Sequence, residues 1–344
     1  MDKRVMLAVA GSGKTSLLIG RLSLDRRALV VTYTENNYAH LRESIIKRFG
    51  HVPKNITLLS YFTFLHSFCY RPLLQLQLGT SGISFRTPPD FTMRIKRDDS
   101  RYYVNDRGSL YHNRLAKLIE VADAIPGVID RIERFYDDFF VDEVQDLAGH
   151  DFNLLIALTK ADAEMLFVGD FCQHTFDTSR DGSVNRTLHD DIGKYEKKFH
   201  EADITVDKES LSRSWRCGPT VCAFIETHLQ INIQSHHDRD TEIIHVSTQA
   251  EADALHEDAN VVKLFYQEHY KYGCFSNNWG ASKGQDHYCD VCVVLGATHW
   301  SSYQKSGLAT LKPQTKNKLY VAISRTRGKL YLAPEKLFKP FKKR

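Results

Sequence analysis

Residues 8–15 combine small residues, a lysine and a threonine in the sequence AVAGSGKT. The stretch follows an apolar segment at 5–7 and precedes a helix-like segment at 16–22, which is the strand–turn–helix context of a phosphate-binding loop. Glycines let main-chain amides converge on one anion, and a helix N-terminus adds partial positive charge. Lys14 would reach the β- and γ-phosphates, and the Thr15 hydroxyl would hold Mg²⁺. The residues expected to contact a nucleotide here are Ala10, Gly11, Ser12, Gly13, Lys14 and Thr15.

Asp142 and Glu143 follow the apolar segment 139–141, which is predicted to be a strand. Ligands of open parallel sheets bind beyond the carboxyl ends of the strands, so adjacent carboxylates at this position favour phosphate chemistry. Asp142 would hold Mg²⁺, and Glu143 would orient or deprotonate an attacking water. A further predicted strand at 164–168 leads to Gln173, which could sense a γ-phosphate. The two carboxylates and the phosphate-binding loop together predict a site for a nucleoside triphosphate.

Apolar segments that must position these residues alternate with helix-periodic ones in the first half of the chain. Strands are predicted at 28–34, 56–59, 139–141 and 164–168, and a helix is predicted at 38–49. Such alternation predicts an α/β fold with a parallel sheet.

Residues 79–109 lack this periodicity and are rich in turn-forming and charged residues, which predicts a surface insertion. Helices are expected at 110–124 and 128–135, separated by Pro126 and Gly127.

Composition sets broad limits on the protein. A chain of 344 residues has room for two domains, and 42% hydrophobic with 26% charged residues is typical of a globular protein. No apolar run approaches the roughly 20 residues of a membrane span, so no membrane association is expected. The formal net charge of +4 does not by itself indicate a nucleic-acid partner. Seven cysteines, an odd number, favour a reducing, cytoplasmic location.

The order of the motifs resembles that of superfamily 1 helicases of the UvrD/Rep/PcrA type. Residues 8–15 match that family's A-x-A-G-S-G-K-T loop, and 141–146 (VDEVQD) match its motif II. The other similar stretches, in the family's order, are 31–34, 61–63, 169–173, 211–216, 282–286 and 320–327.

This resemblance implies two RecA-like parallel-sheet domains of the P-loop NTPase class. The first would span residues 1–200, with a small insertion at about 70–135, and the second would span 201–344 and carry motifs IV to VI. ATP would lie between the domains, and single-stranded nucleic acid would run across both.

Further site residues follow from the resemblance. Arg216 and Arg325 would neutralise charge on the γ-phosphate, as arginine fingers do. Trp215 would stack on the adenine, while Gly284 and Asp286 of motif V would complete the nucleotide site.

The resemblance also assigns strand-binding residues, namely Thr32, Phe62 and Phe176. Stacking of a base on an aromatic ring contributes about 1–3 kcal/mol and tolerates any sequence. For Phe62, a position in the apolar core of a helix is an alternative interpretation.

Departures from the family leave alternatives open. Only residues 217–281 separate motifs IV and V, so the large insertion that regulates unwinding in longer relatives has no counterpart. No glutamine-bearing adenine motif precedes the loop, which leaves the choice of nucleotide open.

The interpretation favoured by the motifs is an ATP-dependent DNA helicase or single-strand translocase, with 3′–5′ polarity by resemblance. One alternative is a nucleotide-gated DNA-sensing subunit that controls a protein partner, such as a nuclease or another antiviral-defence subunit. A helicase acting on RNA is the other alternative.

Overall fold

A computed structural model describes residues 1–175 and 182–343. Two compact units divide the chain. The first comprises Met1–Leu7, Thr15–Gly169 and residues 182–207. The second comprises Ala8–Lys14, Asp170–Thr175 and the described residues from Lys208 onward. Two short segments that directly follow strands of the first unit therefore group with the second.

The first unit is built on a six-stranded parallel sheet with the order β3-β2-β6-β7-β1-β8. The strands of this unit are β1 (Lys3–Leu7), β2 (Ala28–Thr32), β3 (Ile56–Ser60), β4 (Gly82–Ser84), β5 (Ser109–Tyr111), β6 (Asp138–Asp142), β7 (Glu164–Gly169) and β8 (Thr205–Asp207). Every residue of β2 and of β6 is buried, as is typical of parallel strands covered on both faces. The strands predicted from the sequence are confirmed, with small shifts at their ends.

Helices connect these strands. They are α1 (Lys14–Arg21), α2 (Glu35–Phe49), α3 (Tyr61–Thr63), α4 (Arg71–Leu78), α5 (Leu115–Val121), α6 (Ile125–Phe135), α7 (Gly149–Leu158) and α8 (Ile192–His200), and a π-helical segment, Phe64–Tyr70, joins α3 to α4. The predicted helix at 38–49 is confirmed as α2, which starts earlier because the Thr34 hydroxyl accepts the Asn37 N–H and caps it.

Two helix boundaries in the insertion were predicted wrongly. Leu110 belongs to the short strand β5, which pairs with β4, and the helix α5 begins only at Leu115. Pro126 and Gly127 do not separate two helices but lie in the first turn of α6. Proline is tolerated there because a first-turn amide has no acceptor within the helix.

The second unit contains a five-stranded parallel sheet with the order β11-β15-β14-β12-β13. Its strands are β9 (Arg213–Ser214), β10 (Gln234–Ser235), β11 (Ile243–His245), β12 (Val261–Phe265), β13 (Ser276–Asn278), β14 (Asp290–Leu295) and β15 (Leu330–Pro334). Its helices are α9 (Pro219–Leu229), α10 (Gln249–Glu257), α11 (Ala297–Gln304) and α12 (Pro313–Ile323).

Alternate residues of β14 belong to two different apolar clusters. Val291 and Val293 pack in one, and Cys292 and Val294 pack in the other. Since successive side chains of a strand point to opposite faces, both faces of this sheet are covered. The predicted fold class, α/β with two parallel sheets, is confirmed.

No helix within 1–175 or 182–343 has the length and apolar character needed to cross a membrane.

Candidate functional site

The phosphate-binding loop turns at Gly11 and Gly13, whose φ angles are +71° and +90°. Side chains rarely adopt these values, which explains glycine at both positions. Ser12, between them, is buried, and its Oγ has no hydrogen-bond partner within the described parts of the chain. Across the same residues, the amides of Gly11 and Gly13 donate to no protein acceptor. The loop therefore presents donors that suit an anion such as a phosphate.

Tyr320 on α12, which belongs to the same unit as this loop, forms a hydrogen bond with it. Its hydroxyl accepts the Ala10 N–H at 2.9 Å and donates to Asp170 Oδ2 at 3.1 Å. Gln173 Nε2 donates to the same oxygen at 2.9 Å. Burial raises the pKa of Tyr320 well above its usual range, so the hydroxyl keeps its proton. Gln173, expected to sense a γ-phosphate, thus belongs to a buried network that supports the loop.

Arg216 and Arg325 are buried and share one carboxylate. Asp286 Oδ1 lies 2.5 Å from Arg216 Nη2 and 3.1 Å from Arg325 Nη1. Arg216 Nη1 donates to the Ser324 carbonyl at 3.2 Å, and its buried Nε has no partner among the residues described. The Asp286 side chain is 52% exposed, so one half-exposed carboxylate contacts two buried guanidinium groups. Gly284, also assigned to the nucleotide, lies just before Asp286 with φ +79°.

The phosphate-binding loop packs directly against Arg216. A Cβ atom at Gly11 would lie 2.7 Å from Arg216 Cβ and 2.9 Å from Ser214 Oγ. The Trp215 N–H donates to the Gly11 carbonyl at 2.9 Å. Within the second unit, the structure therefore brings together the loop and one of the two predicted arginine fingers.

Trp215, predicted to stack on adenine, is largely exposed beside the loop. Its ring stacks on His236, with centroids 3.9 Å apart and planes at 11°. A stacked imidazole leaves part of the indole open to solvent, where a flat base could bind. His236 lies in a polar stretch that the sequence analysis did not connect with the nucleotide.

The predicted catalytic carboxylates lie in the first unit, where β6 ends. Asp142 is the buried last residue of that strand. Glu143 follows in the left-handed region, with φ +56°, which is uncommon for a residue other than glycine. Gln145 Nε2 donates to Glu143 Oε2 at 2.5 Å, and Gln145 is fully buried. The carboxylate of Glu143 is therefore held by a neighbour to which the sequence analysis assigned no role.

Thr15, the second residue of α1, and Asp142 provide a hydroxyl and a carboxylate oxygen. These are the hard donors that Mg²⁺ prefers, and this ion completes its shell with phosphate oxygens and water. No group of three His, Cys, Asp or Glu side chains suited to a metal occurs among the described residues. The donor types of Thr15 and Asp142 therefore fit Mg²⁺.

The predicted strand-binding residues differ in their surroundings. Thr32 is buried at the end of β2, and its Oγ1 has no partner in the part of the chain that the structure describes. Phe62 is half-buried and contacts the ring of Tyr33, with centroids 5.8 Å apart. It also contacts Phe85 of the insertion at 5.0 Å. Phe176 lies outside the described residues.

The two parallel sheets, each covered on both faces, define a RecA-like α/β architecture of the P-loop class. The chain has this fold in common with a solved helicase, nonstructural protein 10 of an arterivirus, whose structure contains DNA. The TM-score is 0.50 and the identity 16%, over 98% of this chain and 63% of the other. At this identity the likeness shows the fold, and this chain spans less than two thirds of the helicase's length.

Two further solved structures are similar to the chain at 16% identity. One is another arterivirus nonstructural protein 10 helicase, with a TM-score of 0.49 over 98% of this chain and 62% of that one. The other is the helicase of PRRSV, with a TM-score of 0.46 over 96% and 52%. No family model matches the sequence, and no curated protein matches it. The UvrD/Rep/PcrA type therefore stays a prediction.

Proposed function

We propose that the chain is a helicase-type motor that hydrolyses ATP when single-stranded nucleic acid is bound. The observation that carries the proposal is the packing of the phosphate-binding loop against buried Arg216. The loop keeps donors at Gly11, Ser12 and Gly13 that no described residue occupies. Loop amides without a protein acceptor, beside a buried guanidinium, are suited to the multiple charges of a triphosphate.

Each charged residue then has a defined role in phosphoryl transfer. Lys14 contacts the β- and γ-phosphates, while Arg216 and Arg325 neutralise the charge that develops on the transferred group. Glu143 accepts a proton from the attacking water or orients it, and the hydrogen bond from Gln145 fixes its carboxylate.

Thr15 and Asp142 are the residues that would hold Mg²⁺. When bound, Mg²⁺ would neutralise part of the negative charge of the phosphates.

DNA is the proposed nucleic acid, with Thr32, Phe62 and Phe176 as contacts. Phe62 is half-buried and contacts the rings of Tyr33 and Phe85, which supports this role, since bases of any sequence stack on aromatic rings. RNA is the alternative tested in the same assay.

The test is ATP hydrolysis by the full chain, with and without single-stranded DNA or RNA. Lys14→Ala should weaken nucleotide binding, whereas Glu143→Gln should retain binding and lower turnover by about 10²–10⁴-fold. The matched controls Lys305→Ala and Glu257→Gln change exposed residues and should leave hydrolysis unchanged. Turnover by Glu143→Gln at the wild-type rate would reject the catalytic assignment.

A second assay addresses movement. Duplexes with a 3′ or a 5′ single-stranded overhang report unwinding and its polarity, and 3′–5′ is the proposed direction. If a single strand stimulates ATP hydrolysis but neither duplex is unwound, the result would instead support the alternative, a nucleotide-gated subunit that controls a partner protein.

A further inference from the structure

Three rings from separate segments of the first unit form one cluster, here called the aromatic platform: Phe62, Phe85 and His112. The centroids of Phe62 and Phe85 lie 5.0 Å apart, and those of Phe62 and His112 lie 5.6 Å apart. Phe85 and His112 are stacked at 5.2 Å, with an interplanar angle of 30°. Each ring therefore contacts both of the others.

Pairing of β4 with β5 creates this platform. The two short strands are parallel, and Ser84 lies opposite Tyr111 in their register. The next residues along each strand, Phe85 and His112, are consequently neighbours. His112 Nδ1 also lies 3.2 Å from the Ser84 carbonyl oxygen, which orients the imidazole. The platform is thus held by main-chain pairing within the insertion at about 70–135.

Phe85 remains 62% exposed despite these contacts. A single exposed phenylalanine is ordinary, but this one is supported by two further rings. Phe62 also contacts Tyr33, which follows Thr32 at the carboxyl end of β2. The platform therefore continues from the proposed strand-binding residues into the insertion.

The surrounding charge favours a nucleic acid over an apolar protein segment. Between residues 80 and 114 the sequence has seven Arg and Lys residues, of which Arg114 is buried and Arg101 pairs with Asp99, against four Asp residues. Arg86, next to Phe85, is exposed. Single-strand binding proteins combine stacking rings with basic residues that contact the phosphates. Burial lowers the pKa of His112, against the hydrogen bond at Ser84 that raises it, which favours the neutral imidazole beside Phe85.

We propose that Phe85, supported by His112, stacks on a base of single-stranded nucleic acid and extends the strand contact of Phe62 into the insertion. Arg86 contacts the adjoining phosphate. This site rests on the proposed function, since Phe85 would bind the same nucleic-acid strand as Phe62. The insertion would then contact the strand directly.

The test is binding of a fluorescent oligonucleotide of about 16 deoxythymidines to the full chain, measured by anisotropy. Phe85→Ala should weaken binding by about 5- to 150-fold, the value of one stacked base. Phe91→Ala is the matched control, because Phe91 lies in the same insertion and is 65% exposed but contacts no other ring of the described residues. Its affinity should equal that of the wild type.

Two more variants distinguish stacking from a general apolar contact. Phe85→Trp keeps an aromatic face and should retain affinity, whereas Phe85→Leu keeps apolar area and should lose it. Arg86→Gln should reduce the slope of log affinity against log salt by about 0.7, the value of one single-strand phosphate contact. Wild-type affinity in Phe85→Leu would overturn the stacking role.

The outcomes separate this inference from the proposed function. If the wild type binds the oligonucleotide and its hydrolysis is stimulated, but Phe85→Ala binds as tightly as Phe91→Ala, the platform proposal alone is wrong. If the wild type binds neither DNA nor RNA oligonucleotides, the proposed function fails and the platform proposal fails with it. Melting temperatures of all variants, measured in parallel, show whether a lost affinity reflects unfolding.

Discussion

Replacing Glu143 by alanine and by glycine should separate the chemistry of this residue from its backbone conformation. Glu143 has φ +56°, in the left-handed region. For a residue with a Cβ atom this conformation costs about 1–2 kcal/mol. Glycine avoids that cost but gains about 0.4–1 kcal/mol of conformational entropy in the unfolded chain. Glu143→Gly should therefore be more stable than Glu143→Ala, by up to about 1.6 kcal/mol.

The comparison cancels the other effects of the substitution. Both variants remove the carboxylate that accepts Gln145 Nε2, and losing this hydrogen bond to a charged group costs about 1.5–3 kcal/mol in each, while Asp146 Oδ1 at 3.4 Å stays an acceptor for the same donor. Both also remove the proposed group that orients water. The difference between the two variants in free energy of unfolding thus reports the backbone term alone.

Urea unfolding of the full chain, followed by circular dichroism, measures this difference. Gln230 supplies the control, because it is exposed at the end of α9 with φ +53° and has no proposed role in the site. The free energy of unfolding of Gln230→Gly should exceed that of Gln230→Ala by a similar amount. ATP hydrolysis should fall by about 10²–10⁴-fold in both Glu143 variants and remain unchanged in both Gln230 variants.

Equal stability of Glu143→Ala and Glu143→Gly, with a clear difference between the Gln230 variants, would refute the reasoning about strain. Substantial hydrolysis by either Glu143 variant would refute the catalytic role. A strained residue at the proposed catalytic position fits the general observation that such strain concentrates at functional sites.

Three other predictions concern the loop, its support by Tyr320, and the partly buried histidines. Gly11→Ala should lower the melting temperature more than Gly13→Ala, because only the first places a Cβ atom 2.7 Å from Arg216 Cβ, and equal shifts would contradict the packing described. Tyr320→Phe should lower the free energy of unfolding by about 1–3 kcal/mol in urea titration, since the Asp170 carboxylate and the loop lose their shared partner; a smaller loss would mean that water replaces the hydroxyl. Stability should decrease as the pH falls below about 6.5, because the unfolded chain then binds protons that the folded protein resists, and melting temperatures between pH 5.5 and 7.5 check this sign. The histidines whose pKa is lowered by burial are His66, His112, His228 and His299.

Local patterns in the sequence determined much of the fold. The apolar segments that became β2, β3, β6 and β7 were predicted because buried parallel strands need continuous apolar runs. The helix α2 was predicted from its periodicity, and its Thr34 cap and Gly50 end are local signals as well. The turns at Gly11 and Gly13 were predicted because their chemistry depends on a few adjacent residues.

Local patterns failed where a residue has more than one possible local role. Pro126 was interpreted as a helix breaker, although it is equally suited to the first turn of α6. Leu110 was assigned to a helix because the pairing partner of its strand, β4, lies in a segment without periodicity.

Only the tertiary structure decided which distant residues share the site. Ala10 and Tyr320 are 310 positions apart, so no local pattern could connect the loop to α12. The attachment of Arg216 and Arg325 to the single carboxylate of Asp286 depends likewise on three separate segments. Hydrogen bonds, ion pairs and ring contacts between distant segments depend on how the chain folds back on itself, whereas helical periodicity and glycine turns act over a few residues and can be read along the chain.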